Sequence, residues 1–382
     1  MTQATPAARD QSRAGATGPG SATGPGSEAG RVRAWPAVLA AAVLLLAAMA
    51  AGMAIGPAGV PFGQVLAALT VHLPWHPAVA VPPISAAIVW QIRMPRVLLG
   101  ALVGAMLAGG GAAYQGVFRN PLGDPYLLGI APGAGLGATI AIVSGASPAV
   151  LPLAAFAGGA AAVALTYSIG AGAGRRGEGE AQPGAGAGTP SGTASILLAG
   201  IAVGALFTAV QSYLAQQHSQ NLQQIYAWIL GGLSGATWSQ VQLIAPYALV
   251  AAAGLLVHRR LLDVLRVGEI EAASLGVNVP RLRLLVVAAA TIGTGAAVSV
   301  SGLIGFAGLI VPHVIRLAAG PSYRIVMPAS LIGGAAFLVL VDIGARTLQA
   351  PAEIPIGVLT AAVGGPFFLF VLGSRRARRS SA

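Results

Sequence analysis

Few residues of this 382-residue chain could carry chemistry, because charged residues make up only 8% of it. Cysteine is absent, which excludes disulfides, thiolate metal sites and cysteine nucleophiles. Every basic residue is arginine, so the chain cannot supply the lysine that a P-loop places against the β- and γ-phosphates of ATP. Any ATP hydrolysis that serves this protein must therefore take place on another chain.

Ionisable residues inside apolar segments would indicate proton or ion coupling, because burying a charge in lipid is costly. The main candidate is Asp342, which can pair with Arg346 one helical turn further on. Gln115 and the run Arg119-Asn120-Pro121 lie near one end of another apolar segment. No pair of acids is predicted at the bilayer midplane, which argues against a proton-driven secondary transporter.

Ten apolar segments are long enough to form membrane-spanning helices, since about 20 helical residues cross a hydrocarbon core. These helices would position the residues named above. Hydrophobic residues make up 55% of the chain, which excludes an ordinary soluble domain and predicts an all-α polytopic membrane protein. The predicted spans are 35–55, 95–115, 126–144, 149–171, 194–215, 240–258, 282–301, 302–319, 327–345 and 355–373. Only Ser299, Ser301 and Gly302 indicate a turn between the seventh and eighth spans.

The segments outside the spans are polar or rich in small residues. Residues 1–33 predict a disordered N-terminal tail, and its length favours a retained first span over a cleaved signal peptide. The ten-helix domain is placed at 34–374, with a flexible cytoplasmic linker at 172–193 and a polar cytoplasmic connection at 259–283. Residues 375–382 are predicted to form a C-terminal tail on the same side.

The arginines give an independent test of topology, because basic loops are retained on the cytoplasmic side of a membrane. In a ten-span chain, both termini and every even-numbered connection share one side. All arginines fall on that side except Arg93, Arg96 and Arg346. The distribution predicts that both termini are cytoplasmic, and it explains the basic composition without nucleic-acid binding.

The connection at 258–283 is amphipathic and mixed in charge. We expect two short helices here, broken near Gly268 and again at Gly276. One interpretation is an element held against anionic lipid, and the other is a docking element for a cytoplasmic partner. A docking partner would meet polar and apolar side chains side by side, namely Glu269, Glu271, Leu275 and Val277.

Five stretches, in order and at characteristic spacing between about 91 and 372, resemble the FecCD family of importer permeases, which move ferric siderophores, haem and cobalamin. They are RMPRVLLGALVGAMLAGGGAAYQGVFRNPLGDPYLLGIAPGAG (Arg93 to Gly135), AWILGGLSGATW (Ala227 to Trp238), EAASLGVNVPRLR (Glu271 to Arg283), GLIGFAGLIVPHVIRLAAGPSYR (Gly302 to Arg324) and LVDIGARTLQAPAEIPIGVLTAAVGGPFFLFVL (Leu340 to Leu372). The linker and the N-terminal tail are additions to the family pattern.

The resemblance implies a type II importer permease in the cytoplasmic membrane, working as a dimer of two copies or of two paralogues. Each permease would bind a cytoplasmic ATP-binding-cassette ATPase, which uses the ATP, and receive cargo from an extracytoplasmic binding protein. No cofactor or metal site is expected on this chain. The implied cargo is a ferric siderophore or similar chelate, with cobalamin or haem as alternatives. An ion-coupled secondary transporter is the alternative from another class.

The resemblance also implies roles for particular residues at the two ends of the spans. Coupling to the ATPase is expected from Glu271, Ala272, Leu275, Gly276, Val277 and Arg281. Exposed Arg93, Arg96 and Arg346 would bind carboxylates of the binding protein, because the guanidinium fork matches a carboxylate. The alternative for these arginines is that they reach lipid headgroups. Glu353 would either orient Arg346 or be solvated.

The translocation pathway is expected along the glycine-rich spans two, three, five, eight and ten, between two subunits. The polar residues closest to it are expected to be Gln115, Asn120, Pro121 and His313. For His313, which lies near a helix end, packing or capping is the ordinary alternative.

Overall fold

The computed structural model describes residues 34–70, 81–179 and 192–380, which contain helices and no strand. The α-helices are α1 (Ala34–Ala54), α2 (Phe62–Thr70), α3 (Pro83–Ala87), α4 (Met94–Val117), α5 (Ile130–Val143), α6 (Val150–Gly179), α7 (Gly192–Gln217), α8 (Leu222–Ile229), α9 (Trp238–Leu265), α10 (Glu269–Ser274), α11 (Val279–Ser301), α12 (Ala307–Ala319), α13 (Tyr323–Thr347) and α14 (Ile356–Ser380). A π-helical turn, Ile88–Arg93, joins α3 to α4, and a short 3-10 turn, Pro125–Leu128, precedes α5.

Seven helices in the described part of the chain are long and apolar enough to cross a membrane, and three shorter apolar helices complete a set of ten. The shorter helices are α5, α12 and the apolar part of α14. They occupy the predicted spans three, eight and ten, so the prediction of an all-α membrane protein with about ten spans is confirmed. The division between the seventh and eighth spans also lies as predicted, because α11 ends at Ser301 and Gly302 follows with a φ of +68°.

Several boundaries differ from the predictions. The second span begins earlier, since α3 and the π-helical turn extend α4 back to Pro83. Helix α6 continues to Gly179 and so runs into the linker predicted at 172–193, of which residues 180–191 lie outside the described part. Helix α14 continues to Ser380, into the predicted C-terminal tail. The predicted N-terminal tail also lies outside the described residues.

Glycine allows helix α4 to touch two neighbouring backbones. A Cβ atom added to Gly104 would lie 2.2 Å from the carbonyl oxygen of Gly334 on α13. A Cβ atom added to Gly111 would lie 2.0 Å from the carbonyl oxygen of Gly308 on α12. Such approaches stabilise helix pairs in lipid, where helices gain no hydrophobic energy from meeting each other. Helices α4, α12 and α13 therefore form one closely packed group.

We call the end of the bundle where α1 ends and α4 begins the outer end, and the opposite end the inner end, following the predicted orientation. Near the outer end, backbone groups at three breaks between helices form hydrogen bonds with one another. The Gly232 N–H donates to Ser301 O at 2.8 Å, and the Ile356 N–H donates to Gly231 O at 3.0 Å. Irregular backbone inside a bundle needs such partners, because lipid offers none.

Candidate functional site

An arginine held between two carboxylates lies at the outer end. Arg96, in the first turn of α4, donates through Nε and Nη2 to Oδ1 of Asp342 at 3.0 and 2.9 Å. Its Nη1 and Nη2 atoms donate to Oε1 and Oε2 of Glu353 at 2.7 and 2.9 Å. Arg96 is 7% exposed and Asp342 is 2% exposed. The guanidinium thus ties α4 to α13 and to the loop that precedes α14.

Arg93 binds the end of helix α1. From the π-helical turn, its Nη1 atom donates to Met53 O at 2.6 Å and to Ala54 O at 3.0 Å, and its Nη2 atom donates to Ala58 O. The last carbonyl groups of a helix lack partners within the helix and carry a partial negative charge. Arg93 therefore serves as a buried cationic cap for α1.

Arg346 also binds a carbonyl group near the end of α1. Its Nη2 atom donates to Gly52 O at 2.7 Å, and its Nε atom lies 3.5 Å from Oδ2 of Asp342. The predicted pairing of Asp342 with Arg346 within one helix is therefore present. Asp342 is nevertheless bound more closely by Arg96, from a helix that lies 246 positions earlier in the sequence.

The prediction that these three arginines are exposed is wrong, since Arg93 and Arg346 are each 3% exposed and Arg96 is almost as buried. Their partners lie in this chain, and they are covered where α13 packs against both α4 and α1. Of the two expectations for Glu353, pairing with Arg346 is wrong, because Glu353 pairs with Arg96, whereas Glu353 is indeed exposed to solvent, with 32% of its side chain accessible. The docking role assigned to this group of residues stays a prediction.

The segment expected to couple to an ATPase lies at the inner end. Helix α10 follows Gly268, and Gly276 after it has a φ of +83°, so both expected breaks are present. The expected pair of short helices is wrong, because α9 continues to Leu265 and α10 alone is a separate short helix here. Ile270 and Leu275 are 82% and 71% exposed, whereas Ala272 is fully buried. The segment is anchored through one small residue and presents apolar side chains outward.

The remaining coupling residues divide between exposed and partly buried positions. Glu271 and Arg281 are exposed, and Val277 packs partly against the core. The left-handed conformation of Gly276 favours glycine, since other residues are strained there. No atom lies within 4 Å of where a Cβ would be built on Gly276, so backbone conformation rather than space restricts this position.

One side-chain contact connects the coupling segment to the bundle, and a second contact beside it links α9 to α13. Nη2 of Arg283 on α11 donates to Oε1 of Glu269 at 2.6 Å. Asp263, near the end of α9, accepts from Ser322 Oγ at 2.7 Å and from the Tyr323 backbone N–H at 2.6 Å. Asp263 thereby caps the start of α13. Sequence analysis missed this cap, because a capping acid 60 positions away leaves no local pattern.

The four predicted pathway residues do not form one site. Gln115 donates from Nε2 to Gly308 O at 3.0 Å and accepts from Nη2 of Arg316, so it joins α4 to α12. Gln115 and Pro121 line a cavity of about 270 Å³ at the inner end, together with three arginines. Those arginines are Arg119, Arg266 and Arg316.

The other two predicted pathway residues have local structural contacts. Oδ1 of Asn120 accepts from the Leu122 N–H at 2.9 Å, which forms a turn after α4. His313 lies edge-on to Phe367 of α14, with ring centroids 5.8 Å apart. Neither residue lines the inner cavity.

A larger cavity, about 560 Å³, lies between α7, α8 and the start of α5. Its polar lining residues are all uncharged, and they are Thr208, Gln211, Ser212, Gln216 and Tyr226. Sequence analysis expected span five to line a pathway but named none of these residues. The available signal was the unusual density of glutamine between 211 and 224 in an otherwise apolar region.

Known proteins resemble this chain over most of its length. A model of the FecCD transport family matches residues 42–374. The cobalamin import system permease protein BtuC of Halobacterium salinarum is 38% identical, over 91% of this chain and 98% of that protein. The hemin transport system permease protein HmuU of Yersinia pestis is 40% identical, over 76% of this chain and 85% of that protein.

Two further comparisons agree with these. The Fe(3+)-citrate import system permease protein YfmE of Bacillus subtilis is 36% identical, over 75% of this chain and 81% of that protein. A solved structure described as an inward-facing conformation of a metal-chelate type ABC transporter superposes with a TM-score of 0.73. It is 28% identical, and the match covers 88% of this chain and 98% of that one.

Proposed function

The chain belongs to the FecCD transport family of ABC importer permeases and is a multi-pass inner-membrane protein, and on that premise we propose that it imports a ferric siderophore or similar metal chelate by alternating access. Relatives named for cobalamin, haemin and Fe(3+)-citrate import support a chelate as cargo. Cobalamin and haem are the alternatives within the same class. The permease carries out no covalent step and binds no cofactor of its own.

The exposed coupling segment is the observation that carries this proposal. Ile270 and Leu275 expose apolar side chains beside exposed Glu271 and Arg281 at the inner end. Apolar side chains grouped with charged ones mark surfaces that a partner covers. Because the chain has no lysine for a P-loop, that partner supplies the ATPase site.

Motion of the coupling segment has a direct path into the bundle. Glu269 is held by Arg283 of α11, and Asp263 is held by the first residues of α13. Both α11 and α13 are membrane-spanning helices. Closure of the ATPase subunits on α10 would therefore move α11 through the contact of Glu269 with Arg283, while Asp263, which belongs to α9, couples that neighbouring span to α13.

Docking of an extracytoplasmic binding protein at the outer end would involve Arg93, Arg96, Arg346 and Glu353. Arg96 already has two carboxylate partners, of which Glu353 is the more exposed. Carboxylates on the binding protein would replace Glu353 more easily than the buried Asp342. Docking and opening of the outer end would then be one event, since Glu353 belongs to the loop before α14.

The complete importer on this proposal contains two permeases, either two copies of this chain or this chain and a paralogue. Two ATP-binding-cassette subunits face the cytoplasm, where both termini of the permease also lie. Lipid surrounds the outer faces of the helices, and nucleic acid has no part in the function.

The test is uptake by the permease reconstituted in liposomes with its ATPase and binding protein. We expect concentrative uptake of a metal chelate that requires ATP and continues after ion gradients are collapsed with ionophores. An ion-coupled secondary transporter would give the opposite result. Concentrative flux driven by an ion gradient, with no ATPase subunit present, would overturn the proposal.

A further inference from the structure

The uncharged cavity lies where a cargo route would be expected. Its lining residues come from the last turns of α7 and from α8, together with Leu303 in the break between α11 and α12. Irregular backbone at membrane depth is tolerated where it is buried in protein or lines a cavity, and transporters place their substrate sites beside broken helices. A volume of about 560 Å³ is also within the ordinary range for small-molecule sites.

One glutamine is built into the cavity wall. Gln211 is 9% exposed, and its Nε2 atom donates to Thr139 Oγ1 of α5 at 3.2 Å. Gly135 leaves space for the amide, since a Cβ atom there would lie 2.8 Å from Oε1 of Gln211. The amide is therefore oriented by α5, whereas Gln216 of the same lining is exposed.

The charge of the lining distinguishes among chelates. No charged side chain among the described residues lines this cavity, while the cavity at the inner end is lined by three arginines. A carboxylate leaving water for an uncharged wall loses hydration that neutral donors replace only in part, because no cation compensates its charge. An amide leaving water can exchange its hydrogen bonds for those of glutamine, serine and threonine side chains at little cost.

We propose that this cavity receives the cargo and selects an uncharged, amide-bearing metal chelate over an anionic one. The proposal rests on the function proposed above and names the chemistry of its cargo. Corrinoids with amide side chains and uncharged ferric hydroxamates share this chemistry. Haem, through its propionates, and ferric citrate lack it.

The absence of cysteine from this chain allows a direct test with single-cysteine variants of the permease, assembled into the full importer in liposomes. Gln216→Cys places one thiol in the cavity wall. Ser219→Cys places one on the exposed turn after α7, outside the lining, as the matched control. The rate of labelling by a water-soluble maleimide is measured in the presence of cyanocobalamin, ferrichrome, haemin or ferric citrate. Comparing cyanocobalamin with ferrichrome shows whether the uncharged cargo is a corrinoid or a ferric hydroxamate.

The expected result is slower labelling of Gln216→Cys with at least one uncharged chelate, and unchanged labelling of Ser219→Cys. Equal or stronger protection by haemin or ferric citrate would overturn the cargo assignment and leave the permease function intact. Absence of protection in a preparation that transports a chelate would also overturn it, because the cavity would then lie off the route. Failure of ATP-dependent uptake of every chelate would instead overturn the proposed function.

A second variant separates binding from folding. Gln211→Leu should lower uptake kcat/KM for the uncharged chelate by about threefold to tenfold, the size of one lost hydrogen bond. Gln223→Leu, on an exposed position of α8 outside the lining, should leave it unchanged. A purely structural role for Gln211 would reduce uptake of all chelates in the same ratio, and that outcome would contradict the proposal.

Discussion

The two ends of the helix bundle differ in how deeply their charged side chains are buried. At the outer end, Arg96, Asp342 and Arg346 are almost completely buried and contact one another or backbone carbonyls. At the inner end, the side chains of Arg266 and Arg324 are 40% and 66% exposed, and they lie 3.5 and 3.9 Å from Asp263. The charges at the outer end are buried against one another, whereas the inner end buries Arg283 but leaves other charged and apolar side chains exposed to a partner.

The difference follows from how water changes the energy of an ion pair. Exposed pairs contribute about 0–1 kcal/mol, because water and salt screen them. Removing one member of a buried pair costs about 3–5 kcal/mol, because the other charge is left without compensation. The comparison therefore predicts a graded set of losses in unfolding free energy from the outer end to the inner end.

The largest loss is expected for Asp342→Ala at the outer end. The guanidinium of Arg96 would lose its buried partner, and we expect about 3–5 kcal/mol of stability to be lost. Thermal unfolding of the purified protein in nanodiscs measures this. Glu271→Ala, an exposed acid at the inner end, is the matched control and should change stability by less than about 0.5 kcal/mol. Similar losses in the two variants would remove the contrast between the ends.

An intermediate loss is expected for Asp263→Ala, because the start of α13 would lose its side-chain cap. Loss of such a cap costs about 0.5–2 kcal/mol. Asp263→Asn keeps an acceptor oxygen for the Tyr323 N–H and should be milder. Stimulation of ATP hydrolysis by the binding protein should fall in Asp263→Ala, since α13 links the two ends. Unchanged stimulation would show that the cap serves folding alone.

A smaller loss is expected for Glu269→Gln, which breaks the ion pair with Arg283. The Glu269 side chain is 43% exposed, and glutamine keeps an acceptor oxygen for Arg283, whose side chain is 10% exposed, so about 1 kcal/mol should be lost. The difference from wild type should shrink further as salt is added, because the pair is screened. A loss as large as that of Asp342→Ala, measured in the same nanodiscs, would mean that the inner end is as closed as the outer end.

The smallest change in stability, within about 0.5 kcal/mol, is expected for Leu275→Asp, because this side chain is 71% exposed. Its effect should instead be on assembly, since a charge would enter the apolar part of the proposed ATPase contact. Co-purification of the ATPase subunit measures this. Leu348→Asp adds the same charge at a leucine that is 67% exposed at the outer end, and it should leave ATPase binding intact. Equal ATPase binding in both variants would place the ATPase contact elsewhere.

Much of the fold could be predicted from the sequence because the bilayer restricts the solutions. A spanning segment must satisfy its own backbone as a helix, so apolar length alone located the ten spans. The same reasoning placed the break after Ser301, where small and polar residues interrupt the apolar run. The inner connection with its breaks at Gly268 and Gly276 was predictable too, since glycine and mixed charge are local signals.

The partners of the polar side chains were decided by tertiary structure. Sequence spacing indicated Asp342 with Arg346, but helix packing gave Asp342 a closer partner in Arg96. The hydrogen bond of Gln211 with Thr139 and the cap formed by Asp263 also join residues from separate helices. Hydropathy predicts that a segment crosses the membrane, but it does not predict which face of the helix contacts which neighbouring helix. That choice depends on close contacts between helices, such as the contact of Gly104 with Gly334, and these contacts determine which buried charges meet.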